Sequence, residues 1–316
     1  MENELFYSKI LLSGEYIVFL GAKALAVPYK KYSGKLDFIS DESNQTNLKN
    51  QSNNVIHDLY KYLFTTLSNS VLTNKFNLEE FNNDIKSGLY FDSNIPLGYG
   101  VGSSGALTAA IYNYYVEKRE IIFNSGFQNE ILLNLKNELA YIESFFHGKS
   151  SGIDTLVSFL NKPILIQKNS IEVVNYKIEN ISQLCMVLID TGQKRNTYNL
   201  ISRFNKEIET NKVIKPVEKE LMPASDMLTK ALLESNNHEI FTYIQKVSEF
   251  QFDNFKQLIV PEFLNFWERG LKSEKYFLKL CGSGGGGYLL GFINDFEYFN
   301  KEVKAHNTQI KFSLIH

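Results

Sequence analysis

Short apolar runs separated by a glycine-containing turn open the chain. Lys9 to Phe19 reads as strand, turn and second strand, and Lys23 to Pro28 continues as a third apolar run, so the pattern predicts a β-rich sheet edge. Asp41 to Asn54 is dominated by Asn, Gln and Ser with almost no apolar residue, which predicts a solvated loop. From Val55 to Leu67 the spacing of Ile56, Leu59, Leu63 and Leu67 is helical. A short strand is expected over Leu89 to Asp92, then a glycine-rich segment from Pro96 to Gly105 and a helix from Ala106 to about Glu117. A further helix runs from about Glu130 to Phe146, because Leu132, Leu135, Leu139, Ile142 and Phe146 fall on one face, and a short helix follows Asp154.

Pro163 to Gln167 and Ile171 to Val174 read as paired strands, and Cys185 to Ile189 as a buried strand ending at Asp190-Thr191-Gly192. The character of the chain then changes. Helical patterns dominate from Thr197 to Lys256, broken by Pro216 and Pro223, before Tyr276 to Leu280 resumes a strand that feeds a second glycine cluster. At 316 residues the chain exceeds what one hydrophobic core usually supports. The change of pattern places a domain boundary near Leu184, giving an N-terminal domain of residues 1–183 and a C-terminal domain of residues 184–316.

Composition narrows the function classes. Lys and Arg number 33 against 35 Asp and Glu, and no basic block marks a nucleic-acid surface. Two cysteines, Cys185 and Cys281, are too few for a disulfide framework and lack metal-ligand spacing, which fits a reducing compartment. The first apolar run, Ile10 to Leu12, is broken at once by Ser13-Gly14-Glu15, so no signal peptide is expected, and no apolar stretch approaches the ~20 residues needed to span a bilayer. The expectation is a cytoplasmic enzyme acting on small molecules.

The segment Pro96-Leu97-Gly98-Tyr99-Gly100-Val101-Gly102-Ser103-Ser104-Gly105-Ala106 sets glycine at alternate positions and two serines at a helix start. Such a loop can turn bare backbone amides toward an anion, with the positive end of the helix dipole behind them, or it can be a tight turn with a serine as helix cap. It is not a Walker A loop, since no Lys is present, and the acidic ribose partner of a dinucleotide fold is missing downstream. Protein-kinase triplets are absent as well. The second cluster, Lys279-Leu280-Cys281-Gly282-Ser283-Gly284-Gly285-Gly286-Gly287-Tyr288, is rich enough in glycine to imply close approach of backbone to a ligand or to the first loop. Between them, Glu143 and Asp154 are eleven positions apart across a helix end, a turn and a new helix start. Phosphoryl transfer needs one carboxylate for magnesium and another for the attacking hydroxyl. Alternatively, Asp154 is a helix cap and Glu143 part of a solvated face. His147 reads as a cap or packing residue without chemistry, and Lys9 as either an edge residue or a cation that steadies the nucleophilic oxygen.

Together these segments resemble the GHMP kinases, whose three motifs look like Lys9 to Tyr16, Pro96 to Ala106 and Lys279 to Tyr288. Within that family, His147-Gly148-x-x-Ser151-Gly152-x-Asp154 with Glu143 before it is similar to the mevalonate kinase branch, as is Arg195-Asn196-Thr197. The sequence departs from that branch where Tyr16 follows Gly14-Glu15 in place of His and where Ser150 replaces Pro; Gly-Glu-Tyr and Gly-Ser-Ser-Gly are closer to phosphomevalonate kinases.

The resemblance implies an α+β, two-domain GHMP kinase fold, with a ribosomal-protein-S5-like N-terminal domain beside a ferredoxin-like C-terminal domain. It implies ATP and Mg2+ as cofactors and mevalonate as acceptor; another acceptor of the same superfamily, or a ligand sensor that keeps the fold without the chemistry, are the alternatives. By it, Asp154 and Lys9 are catalytic, and Ser103 and Glu143 hold the metal. Pro96, Gly98, Gly100, Gly102, Ser103, Ser104, Gly105, Gly284, Gly285 and Gly286 bind the nucleotide. Glu15, Tyr16, Ser151, Gly152, Arg195, Thr197, Gly282 and Ser283 surround the acceptor. No nucleic-acid or membrane partner is expected, and a homodimer is left open.

Overall fold

The computed structural model describes residues 4–39, 46–67, 76–117, 126–177, 184–194, 214–306 and 310–315. Within them the strands form two antiparallel sheets. The first contains β1 (Phe6–Ser13), β2 (Ala24–Phe38), β3 (Leu89–Ser93), β4 (Ile164–Gln167) and β5 (Ser170–Val173). β2, with 15 residues, organises it. β1 lies along one side; on the other, β4 pairs with Ala24 to Ala26 and β3 with Gly34 to Phe38.

Five helices belong to this half: α1 (Thr46–Thr66), α2 (Leu78–Lys86), α3 (Ser103–Tyr115), α4 (Asn129–His147) and α5 (Ile153–Leu160). α3 is buried from Gly105 through Asn113 and again at Tyr115, and it packs on β1, β2 and α5. A helix apolar on all sides has to be internal. The glycine-rich loop therefore feeds the central helix of the domain. α4 turns Leu132, Leu135, Leu139 and Ile142 inward against α3 and α5, and the same face carries Glu143 inside.

The second sheet has the order β7 (Tyr276–Leu280), β8 (Tyr288–Ile293), β6 (Cys185–Asp190), β9 (Lys311–Leu314). Helices α6 (Met222–Leu233), α7 (Asn237–Asn254) and α8 (Leu264–Ser273) lie between β6 and β7, and α9 (Phe296–Ala305) between β8 and β9. In chain order this is a strand, helices, two strands, a helix and a strand, with the first and third strands central, which is the ferredoxin-like arrangement.

The two halves are tied by Ser13 Oγ to Thr229 Oγ1 at 2.7 Å, by the Lys23 amide donating to Asp226 Oδ1 at 2.7 Å, and by Tyr32 Oη to Tyr288 Oη at 2.7 Å. Tyr29 Oη also reaches Ser313 Oγ at 3.1 Å.

Three segments differ from the sequence expectations. The second strand expected up to Phe19 is instead a single 3-10 turn, Val18–Leu20. Gly14 packs so closely on Ala24 that a Cβ there would lie 2.4 Å from the Ala24 Cβ, and its carbonyl accepts from the Val18 amide, so the chain turns before a strand can extend. The polar stretch expected as a loop up to Asn54 is helical from Thr46. Its polar side chains serve the sheet edge: Asn53 donates to the carbonyls of Ile85 and Leu89, and Ser52 Oγ accepts from the Phe91 amide at 2.9 Å. Ser52 and Asn53 are polar for tertiary hydrogen bonding, while Asn47, Asn50, Gln51 and Asn54 face solvent. Pro216 and Pro223 do not end the helical run; the residues between them, Val217–Leu221, take up a π-helical turn that leads directly into α6. A missing proline N–H shifts the hydrogen-bond ladder by one residue without stopping it.

Candidate active site

The glycine loop enters α3 through Gly102, which holds φ +82 and caps the helix without any side-chain hydrogen bond. α5 begins the same way, with Gly152 at φ +73 and no side-chain cap. The first amides of α3 are left without a side-chain cap, while at α5 the Ile153 amide is held by Ser151 Oγ at 3.3 Å; each N-terminus carries the positive end of a helix dipole. They converge: a Cβ on Gly102 would lie 3.1 Å from Lys9 Cγ and 3.7 Å from Asp154 Cβ, and one on Gly105 would lie 2.9 Å from the Asp154 carbonyl carbon. The close approach of α3 to α5 depends on these two glycines.

At that junction Lys9 Nζ sits 2.9 Å from Asp154 Oδ1. The lysine side chain is 4% exposed and the aspartate 33%, so the carboxylate alone is open to a ligand. Lys9 is fixed by its strand, whose amide donates to the Val101 carbonyl of the glycine loop at 2.9 Å. The bland reading of Lys9 as an edge residue is therefore replaced by a buried ammonium aimed at Asp154.

Glu143 lies beside this pair, on the inward face of α4. Its Oε1 accepts from Ser104 Oγ at 3.1 Å and its Oε2 from Ser150 Oγ. Burial, and next the negative charge of Asp154, push its carboxyl up to about 7, while the serine hydrogen bonds act in the opposite direction. Two neighbouring carboxylates, one of them inside the protein, call for a cation. Among the described residues no group of three or more His, Cys, Asp or Glu is placed to hold a metal. A two-carboxylate site with a hydroxyl fits magnesium, which takes few protein ligands and completes its shell with water and phosphate oxygens. The residues that would hold it are Glu143 and Ser104, with Asp154 adjacent. The serine expected with Glu143 was Ser103; the structure instead turns the hydroxyl of Ser104 to the carboxylate, because successive helical residues point about 100° apart.

The second glycine cluster faces the first. A Cβ on Gly287, which has φ +75, would lie 2.7 Å from the Tyr99 carbonyl oxygen, and the Tyr99 and Tyr288 rings are 5.0 Å apart between centroids. Gly285 donates its amide to the Leu258 carbonyl and Gly287 to the Gln193 carbonyl at 2.7 Å, so these two amides shape the loop and are not turned to a phosphate. Gly284 and Gly286 are buried in the same loop, with Gly282 and Ser283 at its entrance. Pro96, Gly98 and Gly100 form the approach to α3, with both glycines near φ +80.

The residues expected around the acceptor divide. Tyr16 adopts φ +68, packs its ring 5.2 Å from that of Phe255, and brings its hydroxyl to the second loop, 3.2 Å from a Cβ on Gly284. Ser151 accepts from the Ile153 amide at 3.3 Å, and a Cβ on Gly152 would lie 2.3 Å from the Lys136 carbonyl oxygen, so both build the α4 to α5 corner. Glu15 is paired with Lys279 inside the protein and does not face an acceptor; burial pushes its carboxyl up against the pull of that lysine. Arg195 and Thr197 lie outside the described residues.

Three participants escaped sequence reasoning. His147 Nε2 is 2.9 Å from Ser104 Oγ, Ser150 bonds Glu143, and Lys279 is buried. The only available signal was the lysine itself, a charge within the apolar run Tyr276–Leu280.

Comparison with known proteins bears on the fold. Residues 62–162 match the family model described as the GHMP kinases N terminal domain. No curated protein sequence gives a significant match. Among solved structures, the Methanococcus jannaschii mevalonate kinase superposes with a TM-score of 0.62 at 20% identity, covering 98% of this chain and 96% of its own. A Streptococcus pneumoniae phosphomevalonate kinase in complex with phosphomevalonate and AMPPNP gives 0.60 at 13% identity, covering 99% of each chain. The Lactococcus lactis galactokinase complexed with galactose gives 0.62 at 14%, covering 99% of this chain and 93% of its own. Two sheets, a glycine loop feeding a central helix and a matched N-terminal segment all lead to one statement: the chain has the two-domain fold of the GHMP kinases and carries their N-terminal domain signature.

Proposed function

We propose that the protein transfers the γ-phosphoryl group of ATP to the C5 hydroxyl of mevalonate, giving 5-phosphomevalonate, in the cytoplasmic synthesis of isoprenoid precursors. The observation that carries this reading is the Lys9–Asp154 pair at the meeting of two helix N-termini, with Glu143 and Ser104 beside it. Asp154, with one oxygen held by Lys9, orients the acceptor hydroxyl and takes up its proton as the oxygen attacks. Lys9 steadies the developing charge on that oxygen. The amides at the start of α3 cradle phosphate oxygens, and the second loop closes the site from the other half. Magnesium held by Glu143 and Ser104 supplies charge neutralisation to the triphosphate when bound.

Charge among the described residues supports this acceptor. Both buried lysines among the described residues, Lys9 and Lys279, are paired with carboxylates, which leaves neither for a phosphate already on the acceptor. A singly charged hydroxy acid suits such a pocket. Tyr16, in the position where the mevalonate kinase branch has His, favours phosphomevalonate as the second reading. A coupled ADP-release assay across mevalonate, phosphomevalonate, galactose and homoserine tests both. Preference for mevalonate supports the proposal; preference for phosphomevalonate replaces the acceptor and leaves the catalytic roles standing; no magnesium-dependent turnover with any acceptor refutes the kinase reading.

A further inference from the structure

Lys279 is the penultimate residue of β7, the strand that leads through Cys281 and Gly282 into the second glycine loop. Its side chain is 1% exposed, and that of Glu15, its partner, 2%. The ammonium donates to the Glu15 carboxylate, to the Leu11 carbonyl at 3.1 Å and to the Leu280 carbonyl at 3.2 Å. An ammonium has three donors, and all three are engaged. Leu11 lies on β1 two residues beyond Lys9, and Glu15 follows in the turn after that strand. The three acceptors therefore come from both halves of the molecule.

Three bonds within the loop's own half define its interior: Gly285 to Leu258, Gly287 to Gln193, and Thr191 Oγ1 to the Gly287 carbonyl at 2.7 Å; at its far end Tyr288 crosses to the other half, its amide donating to the Tyr99 carbonyl at 3.4 Å and its hydroxyl meeting that of Tyr32 at 2.7 Å. The Tyr288 contacts anchor the end of the loop to the first glycine loop, whereas Lys279 ties its entrance to the strand that carries Lys9. The pair is also costly, since Glu15 Oε2 is buried with no hydrogen-bond partner. Replacing such a buried pair with well-packed apolar residues is often neutral or stabilising, so stability does not account for it.

We propose that Glu15 and Lys279 are positioning residues, which hold the second glycine loop in register with the strand that carries Lys9 and so set how the nucleotide meets the catalytic pair. This rests on the kinase reading above. Glu15 acts through the loop and not on the acceptor.

The test compares the wild-type chain, Glu15→Gln, Lys279→Met, the double variant Glu15→Leu/Lys279→Met and Lys279→Arg. Thermal unfolding, amide hydrogen exchange at Gly285 and Gly287, and KM for ATP and for the acceptor are measured. The singles, each with one uncompensated polar group inside, unfold at lower temperature. The double variant recovers its unfolding temperature, yet its loop amides exchange faster and KM for ATP rises by roughly ten-fold or more with the acceptor KM unchanged, because a displacement near 1 Å is enough to cost that much. Lys279→Arg keeps the charge without the compact three-donor geometry and shows the same split, which carries the test should the double variant fail to fold. A double or Arg variant with wild-type exchange and wild-type KM for ATP overturns the proposal, as does a change confined to the acceptor KM, which would make Glu15 an acceptor contact. Should the wild-type chain phosphorylate no alcohol, the kinase reading fails, while the exchange measurement still decides whether the pair fixes the loop.

Discussion

Glu143 should make the metal-free protein lose stability as pH rises, a trend opposite to that of most carboxylates. Burial and the charge of Asp154 raise its carboxyl from an ordinary value of 4.5 to about 7 in the folded chain. Between those two values the folded state keeps a proton that the unfolded state has released. Stability from this group is therefore complete below about pH 4.5 and is lost as pH rises through about 7. The interval corresponds to about 3 kcal/mol, a large part of the net stability of an ordinary domain. Glu143→Gln removes the ionisation and retains a side chain able to bond Ser104 and Ser150. Urea denaturation at intervals from pH 5 to 8, without divalent metal, measures the effect as the difference between wild type and variant, in which the other titrating groups cancel. The wild type should fall relative to the variant by most of that amount, with the steepest change between about pH 5 and 6.5 and a levelling above about pH 7. Asp154→Asn should shrink the slope without abolishing it, since burial is the larger cause. Parallel wild-type and Glu143→Gln curves would refute the reasoning.

Asp154→Asn should lower kcat by roughly 10²- to 10⁴-fold and leave ATP affinity nearly unchanged, checked by single-turnover kinetics with separate nucleotide titration. Ser104→Ala should raise the magnesium concentration needed for half-maximal rate while Ser103→Ala has a smaller effect, and the reverse order would reassign the metal contact. Gly287→Val forces a side chain into the Tyr99 backbone at a left-handed position, so KM for ATP should rise and the unfolding temperature fall; wild-type values for both would show that the loops are free to separate.

Much of the fold was legible from periodicity. The α4 face of Leu132, Leu135, Leu139 and Ile142, the strand Tyr276–Leu280 and the placement of both glycine clusters emerge from local pattern because burial there follows the period of the element. The helix starting at Thr46 was not legible, since Ser52 and Asn53 are polar to bond the β3 edge, and that partner is about 40 residues away. The turn at Val18–Leu20 was hidden for the same reason: the close packing of Gly14 on Ala24 decides it, not the apolar character of the residues.

At the site the division is sharper. Residue chemistry marked Glu143, Asp154 and the two glycine loops as candidates, because phosphate cradles and paired carboxylates leave a mark in residue type, and the resemblance to the GHMP kinases gave them and Lys9 their expected roles. Which serine meets Glu143, that Lys9 is buried against Asp154, and that Glu15 is engaged by Lys279 264 positions away were decided only by tertiary structure. A hydrogen bond depends on the direction of one side chain to within a few tens of degrees, and that direction is set by how α3, α4 and α5 pack and by how the two sheets meet. Sequence carries the inventory of groups; the packing of distant elements assigns each group its partner.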